Sequence, residues 1–350
     1  MDFALTLLNW FRQNGRSLPW RETRNPYAIW LSEIILQQTR IEQGLPYWER
    51  FMHRWPTVES LAAATEDEVL RQWQGLGYYS RARNLHEAAQ QIVAQGVFPR
   101  TMEGLKALKG VGDYTAAAIG SIAFDLPVAV VDGNVYRLLA RHYGIETPIN
   151  TTEGKKEFAQ LAQSLLPVNA ASVFNQAMMD FGAIQCTPQQ PQCYTCPLLE
   201  SCIAMRDGRV GELPVRRNTL KVKERYLTFV YVRYNGQTCI HRRPAGDIWQ
   251  GLYEPLCLER SEVESSVSSA RTTIREMMQA QGVFLPLTAT PILLMSNVKH
   301  VLTHRIIYAD FWLWETDACP ALPDNYFWID ETDIDQYGVP RLVELLLTHL

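Results

Sequence analysis

The stretch LKGVGDYTAAAI, residues 108–119, sets the fold class of the first half of the chain. Gly110 and Gly112 separate an apolar helix-forming segment from an alanine-rich helix-forming segment. Glycines let backbone N–H groups approach an anion closely, and a helix that begins there adds the positive end of its dipole. The stretch therefore predicts two helices joined by a tight turn. Its spacing leaves open whether the turn holds a phosphate of one DNA strand or only connects the helices.

Helix-forming segments continue around this turn up to about residue 205. They are rich in Ala, Leu, Glu and Gln, and Gly and Pro separate them. Aromatic and β-branched residues then predict strands over residues 226–234, 238–241 and 305–314, and helices are expected over residues 271–281 and 340–349. The first part is therefore predicted to be all-α and the second part α+β.

A chain of 350 residues is long enough for two such domains. The segment from Arg206 to Arg225 contains seven basic and three acidic residues, which is typical of an exposed linker that can also touch phosphates. We predict an α-helical domain over residues 1–205, a basic linker over residues 206–224 and an α+β domain over residues 225–350.

The formal net charge of the chain is -4, which excludes a protein coated in positive charge, so any nucleic-acid surface must be local. The N-terminus lacks the basic segment of a signal peptide, and Thr6 and Asn9 interrupt its apolar residues. Apolar runs also stay shorter than a membrane span. We therefore expect a cytoplasmic protein with no membrane partner, in a compartment where clustered cysteines hold metals more often than they form disulfides.

Four of the seven cysteines fall within seventeen residues, with the spacing C-x6-C-x2-C-x5-C. They are Cys186, Cys193, Cys196 and Cys202. Four soft ligands from one short segment suit either a tetrahedral zinc ion or a [4Fe-4S] cluster, and the spacing does not separate the two. We interpret the other three, Cys239, Cys257 and Cys319, as ordinary buried thiols.

Two carboxylates stand in unusual surroundings. Glu33 lies among apolar residues of a predicted helix, where desolvation favours its protonated form and makes it a general-acid candidate. An outward-facing glutamate on an amphipathic helix is the alternative. Asp132 directly precedes a helical segment, where an aspartate is ordinarily an N-cap. It could instead face Glu33, because glycosidic bond cleavage uses two carboxylates in different environments.

Taken in order, these features resemble the helix-hairpin-helix DNA glycosylase superfamily with a C-terminal iron-sulfur loop, over about residues 5–202. Four stretches are similar to its MutY-type branch, the adenine DNA glycosylases. They are LPWR at 18–21, SEIILQQT at 32–39, GLGYYSRARNL at 75–85 and VDGNV at 131–135.

The resemblance implies base excision repair. The substrate would be adenine opposite 8-oxoguanine or guanine in double-stranded DNA, extruded from the duplex so that the enzyme can reach it. The four clustered cysteines would hold a [4Fe-4S] cluster with a structural and DNA-positioning role. We expect the protein to act as a monomer.

The resemblance also implies roles for single residues. Glu33 would protonate adenine at N7 and later assist water, and Asp132 would stabilise the oxocarbenium-like sugar. Tyr114 and Asn134 would support this pair. Relatives that cleave the strand by Schiff-base chemistry have a lysine where this chain has Tyr114, and a phenol cannot form an imine. We therefore expect a monofunctional glycosylase. The alternative within the superfamily is an endonuclease III-like enzyme for oxidised pyrimidines.

DNA contacts follow from the same resemblance. Arg21 and Leu36 would line the pocket for the extruded base, and Gly110 and Gly112 would hold a phosphate. Residues that occupy the gap in the duplex and press on the opposite guanine would be Gln38, Thr39, Leu76 and Tyr78. For Leu76 and Tyr78, the alternative is an ordinary place in the core.

The second domain resembles the MutT-like, Nudix-fold domain that reads 8-oxoguanine. The stretch from Arg275 to Val283 keeps the shape of the Nudix box but has Gln279 and Ala280 where magnesium-binding carboxylates belong. We therefore expect a reader of the lesion. The loop that contacts oxidised guanine would be Leu302-Thr303-His304, with Thr303 and His304 as contacts, where relatives usually have Phe-Ser-His.

Another departure from the family lies in the cysteine loop. Residues 187–192, Thr-Pro-Gln-Gln-Pro-Gln, have no positive charge, so DNA affinity would depend more on Arg206, Arg209 and the linker. Two other functional classes stay open. A nucleotide hydrolase is disfavoured by the missing box glutamates, and a DNA-binding protein without catalysis is disfavoured by the presence of both Glu33 and Asp132.

Overall fold

The structure is a computed structural model that describes residues 2–217, 222–260, 267–280, 282–284 and 290–350. The chain forms two compact units. One, the helical unit, consists of Met1–Ala63 and Asn84–Asn218, and the other, the sheet unit, consists of Ala64–Arg83 and Thr219–Leu350. The predicted fold class, an all-α domain followed by an α+β domain, is confirmed. Within the described ranges, no helix is long and apolar enough to cross a membrane.

The first 206 residues fold into short helices. They are α1 (Phe3–Asn14), α2 (Pro26–Ile35), α3 (Ile41–Arg54), α4 (Val58–Ala63), α5 (Glu66–Trp73), α6 (Ser80–Gln95), α7 (Met102–Lys106), α8 (Asp113–Phe124), α9 (Gly133–Tyr143), α10 (Thr152–Ser164), α11 (Ala171–Asp180) and α12 (Ile203–Arg206). A π-helical turn, Phe181–Gln185, continues α11. Helix α5 and the start of α6 belong to the sheet unit.

Side-chain caps fix several helix starts near the site. Asn25 accepts a hydrogen bond from the backbone N–H of Tyr27, and Pro26 occupies the first position of α2, where no N–H is needed. Asp132 caps α9, and Gly144, with a φ of 68°, ends it in the left-handed conformation. The chain therefore enters α2 and α9 at defined positions.

Helix α2 is buried nearly all round. Eight of its ten residues are buried, among them Ile29, Trp30 and Ile34, so the helix runs through the interior rather than over the surface. Its closest helical neighbours are α3 and α8. Any polar side chain on α2 is therefore placed in a protein-lined environment.

The sheet unit is built on strands β1 (Lys223–Tyr234), β2 (Gln237–Arg242), β3 (Tyr253–Glu254), β4 (Leu256–Arg260), β5 (Ile292–Val301), β6 (Arg305–Glu315) and β7 (Tyr326–Asp330). Their order is β3-β2-β1-β6-β5, with β4 paired to β1 and β7 to β2. The central strands β1 and β6 run parallel, with Phe229 opposite Phe311. Helices α13 (Val267–Ala280) and α14 (Arg341–Leu347) complete the unit.

Both faces of the sheet are buried along the middle of β1. On one face Phe229 and Tyr231 of β1 share a core with Leu342 and Leu346 of α14. On the other face Val230 packs in a core that contains Ile274 and Met278 of α13. The alternation of side chains along β1 therefore places one apolar set under each helix.

The predicted strands are confirmed at β1, β2 and β6, and the two predicted helices correspond to α13 and α14. Gln281 and residues 218–221 of the predicted linker lie outside the described residues. One interpretation was wrong: Cys319 is exposed, not buried, because it lies in the turn after β6.

Candidate active site

A cavity of about 460 Å³ opens among the helices of the helical unit, a size that suits a small-molecule site. Both candidate carboxylates line it. The predicted site residues on its wall are Arg21, Glu33, Leu36, Thr39, Tyr114, Asp132 and Asn134. The structure therefore brings together residues that are up to 113 positions apart in sequence, from Arg21 to Asn134.

Glu33 projects from α2 into this cavity. Its pKa is raised to about 7, mainly by burial and to a smaller extent by the charge of Asp132, while the hydrogen bond from Tyr114 and the charge of Arg21 oppose the rise. The Tyr114 hydroxyl donates to Glu33 Oε2 across 3.0 Å. The alternative of an outward-facing glutamate on an amphipathic helix is wrong, because α2 is interior and Glu33 lines the cavity.

Asp132 is both a helix N-cap and a cavity residue, the two alternatives that its sequence context left open. Its Oδ1 accepts the backbone N–H of Val135 at 2.7 Å as an N-cap, while Oδ2 accepts from the Asn134 side-chain amide at 2.8 Å. The residue also lines the cavity. Burial raises the pKa of Asp132, and these hydrogen bonds together with Arg137 oppose that rise because they favour the carboxylate. The cap therefore holds a second carboxyl group in the same cavity as Glu33.

Asn134 connects Asp132 to a buried arginine. The Arg137 guanidinium donates to Asn134 Oδ1 at 2.8 Å and to the backbone carbonyl of Cys186 at 2.7 Å. The amide of Asn134 is thereby fixed with its NH2 toward Asp132. A polar chain thus extends from the cavity to the first cysteine of the loop.

Asp180 is a site residue that the sequence reasoning missed. It is fully buried, and Arg16 and Arg21, which both line the cavity, donate to its carboxylate. The available signal was a lone carboxylate inside the apolar run AMMDFGAI, residues 177–184, which is the same signal that drew attention to Glu33. Gln176 and Met179 also line the cavity and were also missed.

The four clustered cysteines line a second, small cavity in the helical unit, and none of them forms a disulfide. The pKa of Cys196 is raised to about 11, first by burial and then by the charges of the other three cysteines, while a backbone hydrogen bond from Leu198 opposes the rise. Arg141, which is buried, donates to Cys186 Sγ at 3.4 Å. Among the described residues, no group of three or more His, Cys, Asp or Glu side chains is drawn together tightly enough to hold a metal ion.

The glycine turn between α7 and α8 has the predicted form. Gly110 has a φ of 75°, and a Cβ there would lie 2.8 Å from the Cβ of Asn84. Gly112 is the N-cap residue of α8 and has open space around it. The prediction of two helices joined by a tight turn is confirmed, and phosphate binding by the turn stays a prediction.

The predicted contacts with the opposite guanine fall on both units. Gln38, with a φ of 56°, and Thr39 follow α2 in the helical unit. In the sheet unit the hydroxyls of Tyr78 and Thr303 form a hydrogen bond, and both side chains are exposed. His304 is exposed as well, whereas Leu76 is only 6% exposed, which fits its alternative as a core residue.

The linker arginines are already paired with carboxylates. Arg206 binds Asp207, and Arg209 binds Glu146 and Glu212. These ion pairs offset the positive charges of Arg206 and Arg209. The suggestion that DNA affinity depends on these two arginines therefore stays a prediction, and it requires the pairs to open or to share their donors with phosphate.

Two family models match the chain. The HhH-GPD superfamily base excision DNA repair protein model matches residues 31–167, and the NUDIX domain model matches residues 228–349. The adenine DNA glycosylase of Buchnera aphidicola subsp. Baizongia pistaciae is 31% identical over 99% of this chain and 96% of that protein. The adenine DNA glycosylase of Rattus norvegicus is 44% identical over 61% of this chain and 44% of its own length.

Two solved structures of DNA repair enzymes are each similar to 59% of this chain. A structure of a thermostable thymine-DNA glycosylase is 31% identical, with a TM-score of 0.55, over 59% of this chain and 95% of that chain. An endonuclease III bound non-covalently to DNA superposes with a TM-score of 0.52 over 59% of this chain and 94% of that chain, at 24% identity. The second likeness supports the fold only.

Proposed function

The chain belongs to the adenine DNA glycosylases, base excision repair enzymes that hydrolyse N-glycosyl bonds, and from this membership we propose that Glu33 and Asp132 divide the chemistry between them. The observation that carries the proposal is the placement of both carboxyl groups on one cavity wall, with Tyr114 donating to Glu33 and Asn134 donating to Asp132. Such a pair, in two different environments, is what glycosidic bond cleavage requires.

Glu33 is the general acid in this proposal. With a pKa of about 7, a substantial fraction of Glu33 carries a proton at neutral pH, and that proton passes to N7 of adenine. The bond between N9 and the sugar C1′ then breaks, and its electron pair stays on the purine. Glu33 is left as a carboxylate, and it accepts a proton from the water that adds to C1′.

Asp132 stabilises the positive charge that develops on the sugar. Hydrogen bonds from Val135 and Asn134 fix its two oxygens and favour the ionised form. A preorganised anion next to a developing cation lowers the barrier without moving during the reaction.

The cavity also supports a monofunctional reaction. Its described wall contains Tyr114 and three arginines besides Arg137 but no lysine, so no primary amine stands beside the carboxylates to form a Schiff base. Arg21 and Leu36 form part of the wall that would hold the extruded adenine. These features favour simple hydrolysis over the endonuclease III-like alternative.

The four clustered cysteines fit a [4Fe-4S] cluster. They provide four soft donors around one cavity, and the ligands of such a cluster each bind a different iron, so they stand further apart than ligands of one ion. Cys186, Cys193, Cys196 and Cys202 would hold it. When bound, the cluster supplies four metal–sulfur bonds that fix the loop and takes no part in the hydrolysis.

The partner of this enzyme is DNA, and we assign its preferred substrate as double-stranded DNA with adenine opposite 8-oxoguanine or guanine. The exposed, hydrogen-bonded pair Tyr78 and Thr303 would meet the oxidised base, together with His304. Gln38 and Thr39 would fill the duplex gap, Leu76 would remain a core residue in keeping with its burial, and Gly110 and Gly112 would hold a phosphate. Gln279 and Ala280 replace metal-binding carboxylates, so the NUDIX domain reads the lesion instead of hydrolysing nucleotides. The enzyme would act as a monomer in the cytoplasm.

A single-turnover assay tests this proposal. A labelled duplex with adenine opposite 8-oxoguanine is incubated with excess protein and analysed with and without alkali. Strand cleavage only after alkali is expected, because hydrolysis leaves an intact abasic site. Cleavage without alkali would mean a lyase step. Absence of cleavage on this duplex, with cleavage of a duplex containing an oxidised pyrimidine, would support the endonuclease III-like alternative.

A further inference from the structure

Asp180 is the shared counter-ion of two arginines on the cavity wall. Its carboxylate accepts from Nη1 of Arg21 at 2.7 Å and from Nη2 of Arg21 at 2.8 Å. It also accepts from the backbone N–H of Arg16 at 2.9 Å and from Nε of Arg16 at 3.0 Å. Asp180 is 0% exposed and the Arg21 side chain is only 14% exposed, so the pair between Asp180 and Arg21 is largely shielded from water, whereas Arg16 is 32% exposed.

We propose that Asp180 is a positioning residue for adenine excision: it holds the Arg21 guanidinium against the cavity wall and offsets its charge, so that Glu33 can keep its proton. This inference rests on the proposed role of Glu33 as the acid. It assigns Asp180 no contact with the reacting atoms.

Several restraints hold Arg21 in this orientation. Besides the two bonds to Asp180, its Nη1 donates to the backbone carbonyl of Arg16 at 2.9 Å, and the guanidinium lies 5.5 Å from the ring centroid of Phe11. Asp180 is the one carboxylate that these contacts include. A bidentate pair of this kind fixes the plane of a guanidinium as well as its position. Without the carboxylate, the carbonyl and the ring would not prevent the guanidinium from turning toward Glu33.

The charged groups around Glu33 determine how strongly the Arg21 guanidinium affects its protonation. Tyr114 on α8 and Asp132 at the start of α9 face it, and Arg21 approaches from the turn Pro19–Arg21. Other charged groups on the cavity wall are Arg16, Arg40, Glu42 and Arg137. Arg21 lowers the pKa of Glu33, whereas burial and Asp132 raise it. Loss of the Asp180 charge would leave Arg21 uncompensated, and the pKa of Glu33 would fall.

The test is the pH dependence of the single-turnover excision rate, measured with the full chain on the adenine:8-oxoguanine duplex at saturating enzyme. A general acid must be protonated, so the rate falls as pH rises through its pKa. With Asp180→Asn, this fall should begin at lower pH. A displacement of about one pH unit would reduce the rate at alkaline pH about tenfold and leave the rate at acidic pH nearly unchanged.

Arg21→Gln should shift the pH profile in the opposite direction, and it leaves Asp180 paired with Arg16. It removes the cation that lowers the pKa of Glu33, so the fall should begin at higher pH than in the wild type. This variant keeps the inference testable if Asp180→Asn does not fold, which circular dichroism would reveal. Asp125→Asn is the matched control, because Asp125 pairs with Arg24 in an exposed ion pair away from the cavity. Its pH profile should match the wild type.

The outcomes separate this inference from the proposed function. If Asp180→Asn lowers the rate equally at every pH, or if neither variant moves the profile, Asp180 has only a structural role and the inference is overturned. Glu33→Gln in the same series reports on the acid itself. Full excision by Glu33→Gln would overturn the proposed function, whereas an inactive Glu33→Gln beside unmoved Asp180 and Arg21 profiles would overturn the positioning role alone.

Discussion

The Tyr114 hydroxyl donates a hydrogen bond to Glu33 Oε2 across 3.0 Å, and both side chains line the same cavity. The two residues lie on different helices, α8 and α2, which pack directly against each other. Burial raises the pKa of both groups, so the phenol keeps its proton and the carboxyl group gains one near neutral pH. The bond therefore orients an acid without ionising it.

Tyr114→Phe should reduce the excision rate about tenfold, since the acid loses the partner that orients it. The hydrogen bond lowers the pKa of Glu33, so its removal should also move the alkaline fall of the rate to higher pH. Single-turnover rates from pH 5 to 9 measure both effects. Tyr27→Phe is the control: it loses a buried hydrogen bond to the carbonyl of Trp55 but lies outside the cavity wall. An unchanged profile for Tyr114→Phe would contradict the assignment.

Glu33→Gln should reduce the excision rate by about 100-fold to 10,000-fold, because the amide has nearly the same volume but no acidic proton. Binding to the mispaired duplex should stay within a few-fold of the wild type. Gel-shift titration and single-turnover excision on one duplex separate the two properties. The exposed Glu22, outside the cavity wall, provides the control Glu22→Gln. Normal turnover by Glu33→Gln would show that another group is the acid.

The surroundings of Glu33 show how much of the site could be predicted from the sequence. The apolar neighbours of Glu33 were visible in the run IWLSEIILQQ, residues 29–38, but they fit both a buried helix and the apolar face of an amphipathic one. Burial on all sides depends on α3 and α8, which are distant in sequence. Asp180 carried the same signal and was missed, because its two arginine partners lie more than 150 positions earlier.

The sheet unit shows a second limit of prediction from the sequence. Strands β1 and β6 were predictable, since both consist mainly of aromatic and β-branched residues. Strand β5 was missed because register shifts between Leu293 and Val298 place polar Ser296 and Asn297 within the strand and break the two-residue alternation. The inclusion of residues 64–83 in this unit is a long-range packing outcome, and the local sequence around α5 contains no signal for it.

Cys196→Ser should yield protein without the brown colour of an iron-sulfur cluster and with a lower melting temperature. A hydroxyl is a harder and weaker ligand for iron than a thiolate. Iron analysis should fall from about four atoms per chain to well below one. The exposed Cys319 lies in the other unit, so Cys319→Ser should keep colour, iron and melting temperature. A stable brown Cys196→Ser protein would mean that a different residue completes the ligand set.

Thr303→Ala should lower the preference for adenine opposite 8-oxoguanine over adenine opposite guanine, since it removes the hydroxyl that bonds to Tyr78. The expected loss of preference is about fivefold, which corresponds to one hydrogen bond of about 1 kcal/mol. Parallel dissociation constants for the two duplexes and for a matched A:T duplex measure it. Thr348→Ala removes an exposed hydroxyl bonded only locally, to Leu345 and His349, and should leave the preference intact. Equal preference in both variants would place lesion recognition elsewhere.

Gly110→Ala and Gly112→Ala form a matched pair within the turn between α7 and α8. Gly110 has a φ of 75°, and an added Cβ would lie 2.8 Å from the Cβ of Asn84, so Gly110→Ala should reduce the free energy of unfolding by about 1 to 3 kcal/mol. Gly112 has open space and a φ of -90°, so Gly112→Ala should change stability much less. If the turn holds a phosphate, the methyl group of Gly112→Ala should still obstruct its approach and weaken DNA binding severalfold. Urea unfolding and duplex titration on both variants separate the two functions of the turn. Full DNA affinity in a stable Gly112→Ala protein would show that the turn only connects two helices.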